Sequence, residues 1–198
     1  ACHLKRDTEV LRRYGNFGKM PTSIALSLRE SGAKDLRDLY RRVLLRADDP
    51  RQAALELEAE LCRAWRVDKK LANMFLSAVS NPVLCGGAAP WSEGVDWTWF
   101  VVVDRNVDLF LEAAGYPGPW TYEARRRFLH ALSRKIDLTE LSPDLQHSYN
   151  PRLVQQALYV FMSRSNRREN PADCCHDGEQ ACRRCPAQLR KLCIATRW

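Results

Sequence analysis

Five cysteines crowd into twenty positions near the end of this 198-residue chain: Cys174, Cys175, Cys182, Cys185 and Cys193. The other three, Cys2, Cys62 and Cys85, are scattered. A disulfide framework would spread its cysteines through a small secreted chain. Thiolates this close together have one common use, to wrap a single metal centre. Counted from Cys175, the spacing is C-x6-C-x2-C-x7-C. Structural zinc sites usually use two short pairs, and this tail has one, Cys182 and Cys185. The spacing therefore favours an iron–sulfur cluster on Cys175, Cys182, Cys185 and Cys193. Zinc stays open as an alternative, because His176 could serve it and Cys174 could replace Cys175 as first ligand.

Metal-bound thiolates imply a reducing compartment, so the expectation is cytoplasm, at the nucleoid if the source is a prokaryote. The first residues, Ala1–Arg6, lack the apolar stretch of a secretory signal. No apolar run approaches the length that crosses a bilayer. The net charge is +7, which favours an anionic partner, nucleic acid before membrane.

Hydrophobic spacing predicts helices almost throughout, and the class is all-α. Leu36, Leu39, Tyr40, Val43 and Leu44 mark one helix. Asp49-Pro50 opens the next, with Asp49 as cap, Pro50 in the first turn and Gln52 at capping-box spacing. Its face is Ala54, Leu57, Leu61 and Trp65. Further faces are Leu71, Met74, Phe75 and Ala78; Val107, Phe110, Leu111 and Ala114; Ala124, Phe128 and Leu132; and Val154, Ala157, Leu158 and Phe161. Trp97–Val103 is the one strand-like segment. An isolated strand has no partner, so an extended, buried connector is expected there.

The cysteine tail at the end of an all-α chain of this size resembles the endonuclease III-like DNA glycosylases of the helix-hairpin-helix superfamily. The resemblance covers about residues 60–198. In Val67-Asp68-Lys69-Lys70-Leu71-Ala72-Asn73, Lys70 falls on the family's catalytic lysine; a register shift of one would give the role to Lys69. In Val102-Val103-Asp104-Arg105-Asn106-Val107, Asp104 falls on the family's essential aspartate. The order along the chain, hairpin, lysine, aspartate, cluster, is also similar.

The resemblance implies two helical lobes flanking a cleft. Residues 21–99 would form a barrel-like lobe with the hairpin and Lys70; residues 1–20 with 100–198 would form a second lobe with Asp104 and a loop holding a [4Fe–4S] cluster. It implies a monomeric enzyme on double-stranded DNA that flips out and excises a damaged or modified base. A carboxylate can stabilise the oxocarbenium character of the sugar or orient a nucleophile. A neutral lysine amine can attack the sugar carbon and form a Schiff base, which permits strand cleavage. Arg66, Lys69, Arg105, Arg183 and Arg184 would contact DNA. Basic residues beside a thiolate cluster can equally balance its charge, and an aspartate at the position of Asp104 can simply cap a helix.

The chain departs from the family in four places, one being a short region before the hairpin that implies a trimmed helical barrel. Seven residues rather than five separate Cys185 from Cys193, a gap that a helix over Pro186–Leu192 could absorb. The hairpin stretch Ala64-Trp65-Arg66-Val67-Asp68 has no glycine, although the family's hairpin glycines let backbone amides reach a phosphate. Contacts by the side chains of Arg66 and Lys69 would have to replace them. The segment between Lys70 and Asp104 is also long, and its Trp91, Trp97, Trp99 and Phe100 could either line a base pocket or pack as a buried loop. The departures keep a second reading alive, a non-catalytic DNA-binding module stabilised by its cluster. A zinc-dependent interaction domain is a third.

Overall fold

The computed structural model describes residues 19–85, 89–163 and 187–192. Every regular element among them is helical, so the fold is all-α. In order these are α1 (Lys19–Glu30), α2 (Leu36–Arg46), α3 (Pro50–Cys62), α4 (Lys69–Ser80), a 3-10 turn at Trp97–Trp99, α5 (Arg105–Ala113), α6 (Tyr122–Ser133), α7 (Leu138–Leu141), α8 (Pro151–Met162) and α9 (Ala187–Leu192). The described residues divide into two compact units between Phe100 and Val101. Residues 1–18, expected with the second lobe, lie outside the described residues.

Polar side chains write the helix starts. Asp35, Asp49, Asp68, Asp104, Thr121, Asp137 and Asn150 cap α2 to α8, each accepting a backbone N–H from the first turn. The predicted capping box on α3 forms with one change. Asp49 accepts the Gln52 N–H at 2.8 Å, but the Gln52 amide oxygen accepts from the N–H of Asp48, not of Asp49, at 3.1 Å.

In the first unit, α3 is the central helix: α1, α2 and α4 pack on it, and the 3-10 turn touches both α3 and α4. Leu39, Tyr40 and Val43 of α2 meet Ala53, Ala54, Leu57 and Leu61 of α3, with Ala72 and Leu76 of α4 and Phe100. Trp91 closes this core, stacked on Tyr40 at 4.8 Å with its face met edge-on by Phe75 at 5.6 Å. Trp91 and Phe100 are therefore core residues.

Four expected faces need correction: on α8 Ala157 is exposed and Gln155 is buried instead, and Ala114 is exposed just past the end of α5. Trp65 does not continue the α3 face, because the helix ends at Cys62 and the chain turns outward. On α4 the buried stripe is Ala72, Asn73, Leu76, Ser77 and Ser80, while Met74 and Ala78 are exposed. The apolar pattern misled because polar residues occupy the buried side. The hydroxyls of Ser77 and Ser80 donate back to the carbonyls of Met74 and Leu76, at 3.1 and 2.6 Å, so they can be buried without a lost hydrogen bond.

In the second unit, α8 packs on α5 and α6, and α9 packs on α5. Val101, Val103, Val107, Leu111 and Leu129 form its apolar centre, flanked by Phe110, Phe128 and Leu158. Of the extended, buried connector expected over Trp97–Val103, Trp97–Trp99 is instead a half-buried 3-10 turn, while Val101–Val103 is irregular and buried. The Tyr122 hydroxyl pins it, donating to the Val101 carbonyl at 2.8 Å and accepting the Val103 N–H at 3.4 Å.

Candidate functional site

Six residues, Arg63–Asp68, turn the chain from α3 into α4. Ala64 is buried, and its carbonyl accepts the Val67 N–H at 3.0 Å, which leaves Trp65 and Arg66 at the tip of a four-residue turn. Ser23 on α1 fastens the turn by accepting the Trp65 N–H. Arg66 has φ +62, the one positive value at a non-glycine among the described residues. The third residue of such a turn calls for glycine, and a side chain there costs about 1–2 kcal/mol. The turn thus reaches the left-handed conformation that glycine adopts most readily, with an arginine in its place. The Arg66 guanidinium lies 5.0 Å from the Trp65 ring centre and forms no ion pair among the described residues.

Asp68 closes the turn, its carboxylate accepting the Leu71 N–H at 2.9 Å. An incoming phosphate would meet that negative charge at the start of α4, so anion contact in this hairpin falls to side chains. Lys69 and Lys70 follow, and the structure separates them. Lys69 Nζ lies 3.9 Å from Glu58 Oε1, a carboxylate buried on α3. Asn73 Nδ2 donates to Glu58 Oε2 at 2.8 Å and to the Lys69 carbonyl at 2.6 Å, which ties the first turn of α4 to α3. Lys70 is half-buried and makes no ion pair or hydrogen bond among the described residues. Of the two adjacent lysines, Lys69 is thus the one with an ion pair among the described residues. Met74, one turn further along the face of Lys70, is exposed beside it.

Asp104 belongs to the second unit. Buried Val101–Val103 and the Tyr122 hydroxyl set its position, and Oδ1 accepts the Val107 N–H at 3.0 Å. That is the geometry of the other capping aspartates. What sets Asp104 apart is Arg152, in the first turn of α8. Burial pushes the Arg152 guanidinium down from its usual range, and the Asp104 carboxylate and Tyr122 push the other way. Arg152 also donates to Gln155 and, at 2.8 Å, to Gln156. No single-sequence spacing links Arg152 to Asp104; its only sequence signal is a cation just inside a helix opened by Asn150-Pro151. Arg105 is exposed and pairs with Glu112 at 2.8 Å, so its cation is partly neutralised on its own helix.

Cys175, Cys182, Cys185 and Cys193, with Arg183 and Arg184, lie outside the described residues. Between Cys185 and Cys193 the chain forms α9, Ala187–Leu192, which rises about 9 Å over its six residues. It packs on α5, the helix that Asp104 caps, with Arg190 and Lys191 exposed. No helix among the described residues is long and apolar enough to cross a membrane. Compared with protein-family models, curated proteins and solved structures, the chain finds no match.

Proposed function

We propose that this chain is a DNA glycosylase of the helix-hairpin-helix type that flips a damaged or modified base out of double-stranded DNA and excises it. One observation carries the reading: the α3–α4 hairpin, turned through a left-handed Arg66, delivers in the first turn of α4 a Lys70 that is unpaired among the described residues. The Lys70 amine attacks the anomeric carbon, the base departs, and the resulting Schiff base permits β-elimination and a nicked strand. Asp104 stabilises the positive charge that develops on the sugar. If Lys70 is not the nucleophile, Asp104 activates water instead and the enzyme releases base without nicking. Arg66, Lys69, Arg105, Arg183 and Arg184 are assigned to the phosphates. The donor set Cys175, Cys182, Cys185 and Cys193, four thiolates with one close pair, fits a [4Fe–4S] cluster that clamps the tail and takes no part in base removal.

The runner-up is a DNA-binding module without catalysis. The observation in its favour is that Asp104 does what six other polar residues do, capping its helix. Borohydride trapping on abasic-site DNA separates the two. The enzyme reading expects a covalent adduct that Lys70→Ala abolishes and Lys69→Ala keeps. No adduct and no base release across a panel of lesions would leave the binding module. The cofactor is checked separately, by brown colour and absorbance near 400 nm; a colourless protein with stoichiometric zinc overturns it.

A further inference from the structure

Trp65 sits where a large aromatic side chain has least reason to be. Its neighbour Ala64 is buried in the first unit, yet Trp65 is 43% exposed. The exposure does not come from a loose main chain: the Trp65 N–H donates to Ser23, and the Ala64–Val67 hydrogen bond closes the turn around it. Arg66 keeps its side chain in a conformation where glycine would be unstrained, with its guanidinium 5.0 Å from the indole and no ion pair among the described residues. A held, exposed indole with a guanidinium against it matches a nucleotide. The ring supplies a stacking surface for a base, and the cation meets phosphate. An acidic peptide would satisfy the cation and offer no flat ring to the indole.

We infer that Trp65 is a base-stacking anchor for a nucleotide that has lost a stacking neighbour, as at a gap, with Arg66 turning from the indole to the adjacent phosphate. This rests on the DNA-binding reading and adds to it a preference for interrupted over intact duplex, because an intact duplex has no open base face to offer. The test is fluorescence anisotropy with the full chain on a labelled gapped duplex and on an intact duplex of the same sequence, over a salt series. Trp65→Ala is expected to weaken gapped-duplex binding about tenfold and erase the preference for it, with Trp65→Phe keeping the preference. Arg66→Ala is expected to lower the log–log salt slope by about one on both duplexes. If Trp65→Ala binds gapped DNA as wild type does, the anchor falls and the DNA-binding reading stands. If wild type binds no DNA, both fall. If polyglutamate displaces the gapped duplex as well as unlabelled gapped DNA does, the partner is an acidic polypeptide and the anchor is overturned.

Discussion

In the first unit the buried centre is Leu39, Val43, Leu57, Leu76, Trp91 and Phe100; in the second, the largest fully buried side chain is an arginine. Arg126, 1% exposed, pairs with Glu123 and holds its guanidinium 5.5 Å from the Tyr122 ring centre. Around it, His130 Nδ1 meets the Tyr149 hydroxyl at 2.7 Å, and the Ser133 hydroxyl donates to the Leu129 carbonyl at 2.7 Å. Gln155 and Asn150 are buried as well. The first unit gathers its buried polar groups on one side, at Glu58 and along α4 from Asn73 to Asn81. An apolar centre is stable through the area it removes from water, whatever its orientation. A polar cluster depends on every partner staying in place. The second unit has an apolar centre of its own, at Val101, Val107, Leu111 and Leu129, and the polar cluster that α6 adds to it is the part that forgives least.

Substitutions can break or sharpen that contrast. Leu57→Ala, in the dry centre, is expected to have the largest effect, a loss of about 3 kcal/mol in denaturant unfolding. Arg126→Met should cost less, about 1–2 kcal/mol, because it keeps much of the volume while Glu123, at its partly exposed site, regains water. A loss as large as that of Leu57→Ala would show that ion pairing, rather than filled space, holds the second unit. Arg66→Gly is expected to stabilise by about 1 kcal/mol by relieving the positive φ, while weakening DNA binding. An unchanged melting temperature would mean that the turn is not strained. The smallest effect is expected at Glu56, on the outer side of α3. Its hydrogen bond from Arg46 holds the Glu56 carboxyl below the usual range, against a smaller upward push from burial. The stabilisation is thus present above the ordinary carboxylate pKa and fades as pH falls through the lowered one. Glu56→Gln should cost under about 1 kcal/mol at neutral pH, and the difference from wild type should vanish in acid.

Where chemistry is local, the sequence could be read. Asp49-Pro50 announces α3, its face lies where Leu57 and Leu61 predict, and the stretch before Asp104 is a buried connector and no strand. The helix between Cys185 and Cys193 could also be read from the sequence. Reading failed where burial contradicts polarity. The α4 face came out rotated because Asn73, Ser77 and Ser80 are inside. Trp65 joined α3 because an apolar residue fell on the helical period just past the true end at Cys62. α1 was not expected although Met20, Ile24 and Leu28 recur on it every four residues, and α7, at four residues, is too short to show a period. In the candidate site, Lys70 and Asp104 are visible as residue types, but their partners are not. Glu58 could have been flagged as a carboxylate between Leu57 and Leu61 on a core-facing stripe. Arg152 reaches Asp104 only through the fold.

The caps that open α2 to α8 also bear on how this chain tolerates change in length. Each helix takes its starting point from its own first residue and not from the end of the helix before it. An extra residue inserted ahead of Asp35, Asp68 or Asp137 would lengthen the connecting loop and leave the buried stripe that follows in phase. The same insertion just after the cap would rotate the stripe by about 100°. Tags, labels and linkers placed on the upstream side of a cap are thus the ones this fold should absorb.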